Sequence, residues 1–281
     1  MRSSVLFFGF LTMLAGCRAP VSDEPVSHIG RDYQLYTADV SRNQTSRVRL
    51  LVIHYTAEDF DCSLRLLTRG EVSAHYLIPE KPPLSAGVPV AWQLVPESQS
   101  AWHAGISYWR GAVQLNSVSV GIELENQGYR CSLLGGCRWV QYNPQQMALL
   151  THLARDILER HQIAPQNVVA HSDIAPQRKV DPGPLFPWKA LAEAGIGAWP
   201  DAGQVEFYLA GRAPDEPVAV RPLLDKLARY GYEVDGKMTP RQQQRVIAAF
   251  QMHFRPQRYD GVPDAETEAI VDSLLEKYGG Q

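Results

Sequence analysis

The chain has 281 residues, of which 45% are hydrophobic and 20% are charged. This apolar content is sufficient for a packed core in one or two domains and argues against a disordered chain. The 27 Lys and Arg residues are balanced by 30 Asp and Glu residues, which gives a formal net charge of -3. Because no block of basic residues stands out, we expect no nucleic-acid partner held through phosphate contacts.

The amino terminus has the pattern of a lipoprotein signal. An apolar run over 5–14 is followed by Leu14-Ala15-Gly16-Cys17, which resembles the bacterial lipobox. A run of about ten residues is too short to span a bilayer but is typical of a secretory signal. We predict a signal peptide over 1–16, a lipid on Cys17 and a polar tether over 17–45. The alternative is an ordinary cleaved signal with an incidental Cys.

The residue after Cys17 is Arg18 rather than Asp, which by resemblance to the enterobacterial sorting rule favours the outer membrane. We therefore expect an outer-membrane lipoprotein that faces the periplasm and contacts the membrane only through its lipid. In that oxidising compartment Cys131 and Cys137 can form a disulfide, and a pair of free thiols is the alternative. Zinc-ribbon spacing is absent, so cysteine is not the expected metal ligand.

The segment 46–198 has the pattern of an α/β domain. The β-branched run over 48–53 predicts a buried strand that ends at His54. Shorter strands are predicted over 75–78, 90–95, 118–124 and 168–170. A helix is predicted to begin after Asn143, with Pro144 at its first position and Gln146 completing a capping box.

The last part of the chain has a second pattern. Residues 199–215 are rich in Gly, Pro and Ala, and we interpret them as a linker. Apolar spacing over 216–281 predicts a small unit of three helices. The second helix has a capping box from Thr239 to Gln242, and the third begins after Asp264 and ends before Gly279.

Two histidines lie where a predicted strand meets a loop, at His54 and at His171. The loop after His171 carries two acidic candidates, Asp173 and Asp181. Two imidazoles and one carboxylate are a common set of catalytic zinc ligands, with the fourth position left for water. Spacing alone does not choose between the two aspartates, and a single His at a strand end is often structural.

Five ordered motifs give a more specific indication. They are Val-Ile-His-Tyr-Thr-Ala (52–57), Ser-Ala-His-Tyr-Leu-Ile (73–78), Ala-Trp-His-Ala-Gly (101–105), Ser-Val-Gly-Ile-Glu-Leu-Glu-Asn (119–126) and Ala-His-Ser-Asp-Ile-Ala-Pro-Gln-Arg-Lys-Val-Asp-Pro-Gly-Pro (170–184). Together these motifs resemble the zinc-dependent N-acetylmuramoyl-L-alanine amidases that are related to peptidoglycan-recognition proteins and phage amidases. The resemblance covers nearly the whole chain after the signal and implies a mixed central sheet flanked by helices, with a small helical peptidoglycan-binding-like domain over 216–281.

The resemblance implies that His54, His171 and Asp181 bind Zn2+. It also implies that Glu123 transfers a proton from water to the leaving amine and that Lys179 stabilises the developing oxyanion. Strand alternation places Glu123 and Glu125 on the same face, so only the resemblance favours Glu123.

Four further aromatic side chains are candidates either for substrate contact or for core packing. His103 is a candidate for substrate contact, whereas His75 is equally compatible with a core histidine. Trp102 and Trp109 are candidates for stacking on sugar rings, with core packing as the alternative.

The expected function is hydrolysis of the amide between N-acetylmuramic acid, in its ordinary or anhydro form, and L-alanine in peptidoglycan. Peptidoglycan and its muropeptides are the expected partners, and the chain is expected to act as a monomer. Two alternatives remain at this level: a zinc peptidase that cuts stem peptides, and a module that recognises muropeptides without cutting them. For the helical region, a role in packing against the catalytic domain is the alternative to peptidoglycan binding.

Overall fold

The computed structural model describes residues 28–29, 34–35, 41–132 and 135–279, which fall into two units divided between residues 45 and 46. The predicted signal peptide and Cys17 lie outside the described residues. In the first unit, strand β1 (His28–Ile29) pairs antiparallel with strand β2 (Gln34–Leu35). Among the described residues, no helix has both the length and the apolar character needed to cross a membrane.

The second unit contains the remaining strands and helices. Its strands are β3 (Leu50–Tyr55), β4 (Tyr76–Ile78), β5 (Leu84–Ser85), β6 (Val88–Pro89), β7 (Trp92–Gln93), β8 (Tyr108–Trp109), β9 (Ala112–Val113), β10 (Ser119–Leu124), β11 (Tyr129–Ser132), β12 (Gly136–Trp139) and β13 (Val168–Ala170). Its helices are α1 (Phe60–Arg69), α2 (Pro144–His161), α3 (His171–Ile174), α4 (Trp188–Glu193), α5 (Ala202–Leu209), α6 (Val220–Tyr230), α7 (Pro240–Phe254) and α8 (Ala265–Tyr278).

A five-stranded sheet in the order β13-β3-β10-β4-β7 forms the centre of this unit. Strands β13, β3, β10 and β4 are parallel, and β7 is antiparallel to β4 at one edge. Helices flank the sheet, so the predicted fold class is confirmed. The first predicted strand is displaced by two residues: it covers Leu50–Tyr55, and His54 lies within it.

Both faces of β3 are buried, and alternate residues belong to different apolar clusters. Leu51 and Ile53 pack with α2, whereas Leu50 and Val52 belong to the cluster that contains α6, α7 and α8. Full burial of such a side chain contributes about 1.5–3 kcal/mol. The carboxy-terminal helices therefore complete the core on one side of the sheet.

Helix α2 begins as predicted, because the Asn143 side chain accepts a hydrogen bond from the Gln145 backbone at 2.8 Å and Pro144 occupies the first position. The predicted capping role of Gln146 is wrong. Its side-chain amide is buried and instead donates to the carbonyl oxygens of Ile78 and Glu125, both at 3.0 Å. Buried carbonyl oxygens need a hydrogen-bond donor, and Gln146 supplies one to both. Gln146 therefore joins the helix to the sheet edge.

The three carboxy-terminal helices occur where they are predicted. Thr239 and Gln242 form the expected capping box of α7, and Asp264 caps α8 through the Thr267 backbone. The segment 199–215, interpreted as a linker, contains α5, which packs against α8. The proposed domain boundaries stay predictions.

Cys131 and Cys137 form a disulfide across the β11–β12 hairpin, where they pair directly. Of the two alternatives left open by the sequence, the structure has the bridge.

The carboxylate of Glu97 joins the sheet to the end of α2. It accepts hydrogen bonds from the Tyr76 hydroxyl at 2.6 Å, from Arg160 at 2.7 Å and from His161 Nε2 at 2.7 Å. Burial opposes ionisation of Glu97, but hydrogen bonds from Arg160, Tyr76 and His161 outweigh it and lower its pKa to about 2. A carboxylate with a lowered folded-state pKa stabilises the fold above its unfolded-state pKa of about 4.3.

We predict that Glu97→Gln lowers the melting temperature most above about pH 5. The difference from wild type should shrink as the pH falls through the unfolded-state pKa toward about 2, because the wild-type carboxylate then takes up a proton. Thermal unfolding followed by circular dichroism between neutral and acidic pH measures this. Glu159→Gln, at an exposed position of α2, is the control. A gap that does not change with pH would contradict the prediction.

Candidate active site

Three parallel strands bring the candidate residues to one edge of the sheet. In the register of β10 and β3, Glu123 is the partner of His54. On the other side of β3, Ala170 is the partner of Ile53, so His171 follows directly at the end of β13. The carboxyl ends of parallel strands are a common location for binding sites. Residues separated by more than a hundred positions in the sequence are therefore adjacent here.

His54, His171 and Asp181 converge on one point. His54 Nδ1 lies 2.9 Å from His171 Nδ1 and 3.2 Å from Asp181 Oδ2, and His171 Nδ1 lies 3.0 Å from the same oxygen. All three residues are buried, and their candidate ligand atoms lie within 4.8 Å of one another.

The second ring nitrogen of each histidine has its own partner. His171 Nε2 lies 3.3 Å from the Ala104 carbonyl oxygen, which can only accept a hydrogen bond. His54 Nε2 lies 2.9 Å from His103 Nδ1, and His103 Nε2 lies 3.1 Å from the Ser119 hydroxyl. Ser119 donates its proton to the Leu115 carbonyl. The hydrogen bonds through His103 and Ser119 place a proton on His54 Nε2 and leave its Nδ1 lone pair directed at the convergence point.

The ionisation states also suit a metal. Burial, followed by the neighbouring His171, lowers the pKa of His54 to about 4, so its imidazole is neutral near pH 7. Burial opposes ionisation of Asp181, but His171 and His54 outweigh it and hold its pKa well below the ordinary range. Two imidazole nitrogens and one carboxylate oxygen match the donor set of a catalytic zinc site.

Of the two aspartates that spacing could not separate, Asp181 is the one at this point. Asp173 faces away, because its carboxylate accepts hydrogen bonds from the Ala170 backbone, Tyr232 and His253.

The two glutamates of the fourth motif have different surroundings. Glu123 lines the same cavity as His171 and Asp181, and its Oε2 is buried with no hydrogen-bond partner in the described structure. Burial, and then the charge of Asp181, raise the pKa of Glu123 to about 8, while Lys179 opposes the shift. Glu125 instead accepts hydrogen bonds from the Phe60 and Glu80 backbones at 3.0 and 2.7 Å. Of these two glutamates, only Glu123 therefore has a carboxylate oxygen that is left to contact a bound molecule.

The cavity above these residues has a volume of about 330 Å³. Lys179 and the exposed Trp102 lie on its wall, together with residues of α1. Trp109 is 3% exposed and packs against Tyr232, so the packing alternative holds for it. His75 is a core histidine whose Nδ1 accepts the Gly121 backbone N–H at 3.0 Å.

Several residues that line this site were not predicted from the sequence. Helix α1, which contributes Ser63, Leu66 and Leu67 to the wall, was not predicted, although Asp59 caps it. The Arg178 guanidinium donates to the Ile106 carbonyl and lies 3.3 Å from His171 Nε2. Asp59 at the amino end of the α1 pattern was the available signal for the helix.

The sequence matches the family model described as N-acetylmuramoyl-L-alanine amidase (Amidase_2) over residues 44–184. The chain therefore belongs to the N-acetylmuramoyl-L-alanine amidase family. It is 60% identical to the N-acetylmuramoyl-L-alanine amidase AmiD of Escherichia coli strain K12 over 247 residues, which cover 88% of this chain and 89% of that protein.

Two solved structures extend this similarity to the fold. The complex of E. coli AmiD with anhydro-N-acetylmuramic acid-L-Ala-D-gamma-Glu-L-Lys has a TM-score of 0.86 and 58% identity, and the match covers 90% of this chain and 98% of that one. AmpDh3 from Pseudomonas aeruginosa has a TM-score of 0.79 and 42% identity, with coverage of 90% and 100%.

We predict that Asp181→Ala reduces the bound divalent metal strongly, because it removes the only carboxylate of the donor set. Elemental analysis of the purified chain after dialysis against a trace of Zn2+ measures the effect. Asp156→Ala, at an exposed position of α2, should keep the wild-type metal content. Full occupancy in Asp181→Ala would remove this residue from the ligand set.

Proposed function

We propose that this chain hydrolyses the amide between the lactyl group of N-acetylmuramic acid and L-alanine in peptidoglycan. The observation that carries the proposal is the convergence of His54, His171 and Asp181, together with a cavity that His171 and Asp181 line with Glu123, whose buried Oε2 has no partner in the described structure. Membership of the amidase family supports it, as does the similarity to an enzyme solved with an anhydro-muramyl peptide. Both ordinary and anhydro-muramic acid are within this proposal.

The metal that we propose for the site is Zn2+, held by His54 Nδ1, His171 Nδ1 and Asp181. When bound, Zn2+ supplies a Lewis acid that activates water and polarises the scissile carbonyl. The protein contributes the orientation of the two rings, which is fixed by the hydrogen bonds at each Nε2.

Glu123 is proposed to accept the proton of the attacking water and to pass it to the leaving amine. A carboxyl whose pKa is raised to about 8 can hold a proton near neutral pH, and the positive charge of Lys179 favours its ionised form. Such a group is suited to both halves of the transfer.

Lys179 is proposed to stabilise the negative charge that develops on the carbonyl oxygen. It lies on the wall of the cavity that Glu123 and Asp181 also line, and a cation there favours the transition state over the neutral amide. In mutagenesis, loss of one such donor typically costs about 100- to 1000-fold in kcat.

The direct test is mass spectrometry of a defined muropeptide after incubation with the chain, with and without a zinc chelator. We expect release of an intact stem peptide that begins with L-alanine, and we expect chelation to abolish it. Shortened stems would identify a peptidase instead. Binding without cleavage would identify a recognition module.

Glu123→Gln tests proton transfer separately from the binding of metal and substrate. It should retain Zn2+ and substrate binding but lose kcat by about 100-fold or more, because the amide cannot accept the proton. Glu125→Gln, which alters the neighbouring structural carboxylate, is the matched control and should retain far more activity. Wild-type turnover in Glu123→Gln would remove this residue from the mechanism.

We also propose that the chain is an outer-membrane lipoprotein facing the periplasm, anchored through a lipid on Cys17. The motif Leu14-Ala15-Gly16-Cys17 supports this proposal. Several acyl chains on one Cys give durable anchoring, since each buried methylene contributes about 0.8 kcal/mol. Cys17→Ser should move the chain from the membrane fraction to the soluble fraction, and retention in the membrane would contradict the lipid.

A further inference from the structure

A buried carboxylate lies directly behind the candidate metal site. Asp173 is 1% exposed and is the third residue of the short helix α3, which begins with His171. Its Oδ2 accepts the backbone N–H of Ala170 at 2.7 Å. Asp173 follows His171 in the chain, and Ala170 precedes it. Their hydrogen bond therefore spans the turn that contains His171.

The other partners of this carboxylate come from the carboxy-terminal helical region. The Tyr232 hydroxyl, just after α6, donates to Asp173 Oδ1 at 2.6 Å, and His253 Nδ1 of α7 lies 2.6 Å from Oδ2. Both side chains are buried. A buried carboxylate can only accept hydrogen bonds, so His253 holds its proton on Nδ1.

The ring of His253 is itself fixed by stacking. It lies parallel to Trp188, with ring centroids 3.8 Å apart, and its Nε2 is buried with no partner in the described structure. A buried nitrogen without a hydrogen-bond partner costs free energy, and an apolar side chain at this position would avoid that cost. The favourable polar contact of this histidine is the one to Asp173.

A second connection holds the segment between the two ligands. The Gln177 side chain donates to the Gln242 carbonyl of α7 at 3.1 Å, and Arg245 of α7 donates to the Gln177 carbonyl at 2.8 Å. Within the turn, the Ser172 N–H donates to the Asp181 carbonyl at 3.0 Å. Helix α7 therefore contacts this segment at two points between His171 and Asp181, at Asp173 and at Gln177.

We propose that the carboxy-terminal helical region fixes the metal-binding turn, with Asp173, Tyr232 and His253 as positioning residues. The inference rests on the metal site proposed above. Ligands that are held in place before the metal arrives lose little conformational freedom on binding, so the anchor raises metal affinity. The helices thereby affect the geometry of the active site through buried hydrogen bonds.

Two variants at one position separate the hydrogen bond from packing. His253→Phe keeps an aromatic ring against Trp188 but removes the donor to Asp173. His253→Asn places an amide donor near the position of Nδ1 but removes the stacked ring. We expect His253→Phe to weaken Zn2+ binding by about 10-fold, within the range typical of partners behind metal ligands, and His253→Asn to restore most of the affinity. Thermal stability should follow the reverse order.

The measurement is the Zn2+ dissociation constant of the full chain, by competition with a chromogenic chelator at fixed pH, with the melting temperature of the metal-free chain alongside. Tyr232→Phe, which removes only the hydroxyl donor to Asp173, should also weaken Zn2+ binding. Asp264→Asn is the control, because it disturbs a buried carboxylate that caps α8 and pairs with Arg255. It should lower stability and leave the Zn2+ affinity of the folded chain unchanged.

Wild-type Zn2+ affinity in both His253→Phe and Tyr232→Phe would overturn the inference while leaving the proposed function intact. An equal loss of affinity in Asp264→Asn would also overturn it, because general destabilisation would then explain the effect. Failure of the wild-type chain to bind Zn2+ would refute the metal site itself, and with it this inference.

Discussion

The parallel pairing of β13, β3 and β10 is the constraint on which the active site depends. It places the ends of three strands at one edge, where His54, Glu123 and His171 are neighbours. The pairing is stable because β3 is buried on both faces, by α2 on one side and by α6, α7 and α8 on the other. A change that opened either face would move the candidate metal ligands as well as weaken the core.

Burial has a chemical consequence at this edge. It lowers the pKa of His54 to about 4 and raises that of Glu123 to about 8, so His54 is neutral near pH 7 and Glu123 can hold a proton. Both shifts follow from the cost of a charge away from water. Asp181 keeps its charge because the two imidazoles beside it outweigh the same cost. The same buried environment thus leaves His54 neutral, Glu123 able to hold a proton and Asp181 charged.

Hydrogen bonds determine the remaining detail of the site. His103, Ser119 and the Ala104 carbonyl fix the orientation of the two imidazoles from within the sheet domain. Asp173 carries the same kind of restraint outward to α7. The helical region that the sequence suggests as a separate peptidoglycan-binding unit shares a hydrophobic cluster with the sheet. Catalytic geometry and the packing of the last helices are therefore linked physically.

Local patterns in the sequence determined the central strands, the caps at Asn143, Thr239 and Asp264, and the placement of His54 and His171 near strand ends, because these depend on neighbouring residues only. Family resemblance, rather than spacing, pointed to Asp181 and Glu123. Only the tertiary structure distinguished the surroundings of Asp181 and Glu123 from those of Asp173 and Glu125, because the neighbours of each carboxylate are distant in sequence. The same holds for Gln146, which a local capping rule misplaced, and for Trp109, whose burial depends on Tyr232. A side chain's propensity is local, whereas its hydrogen-bond partners and its distance from water are set by the whole fold.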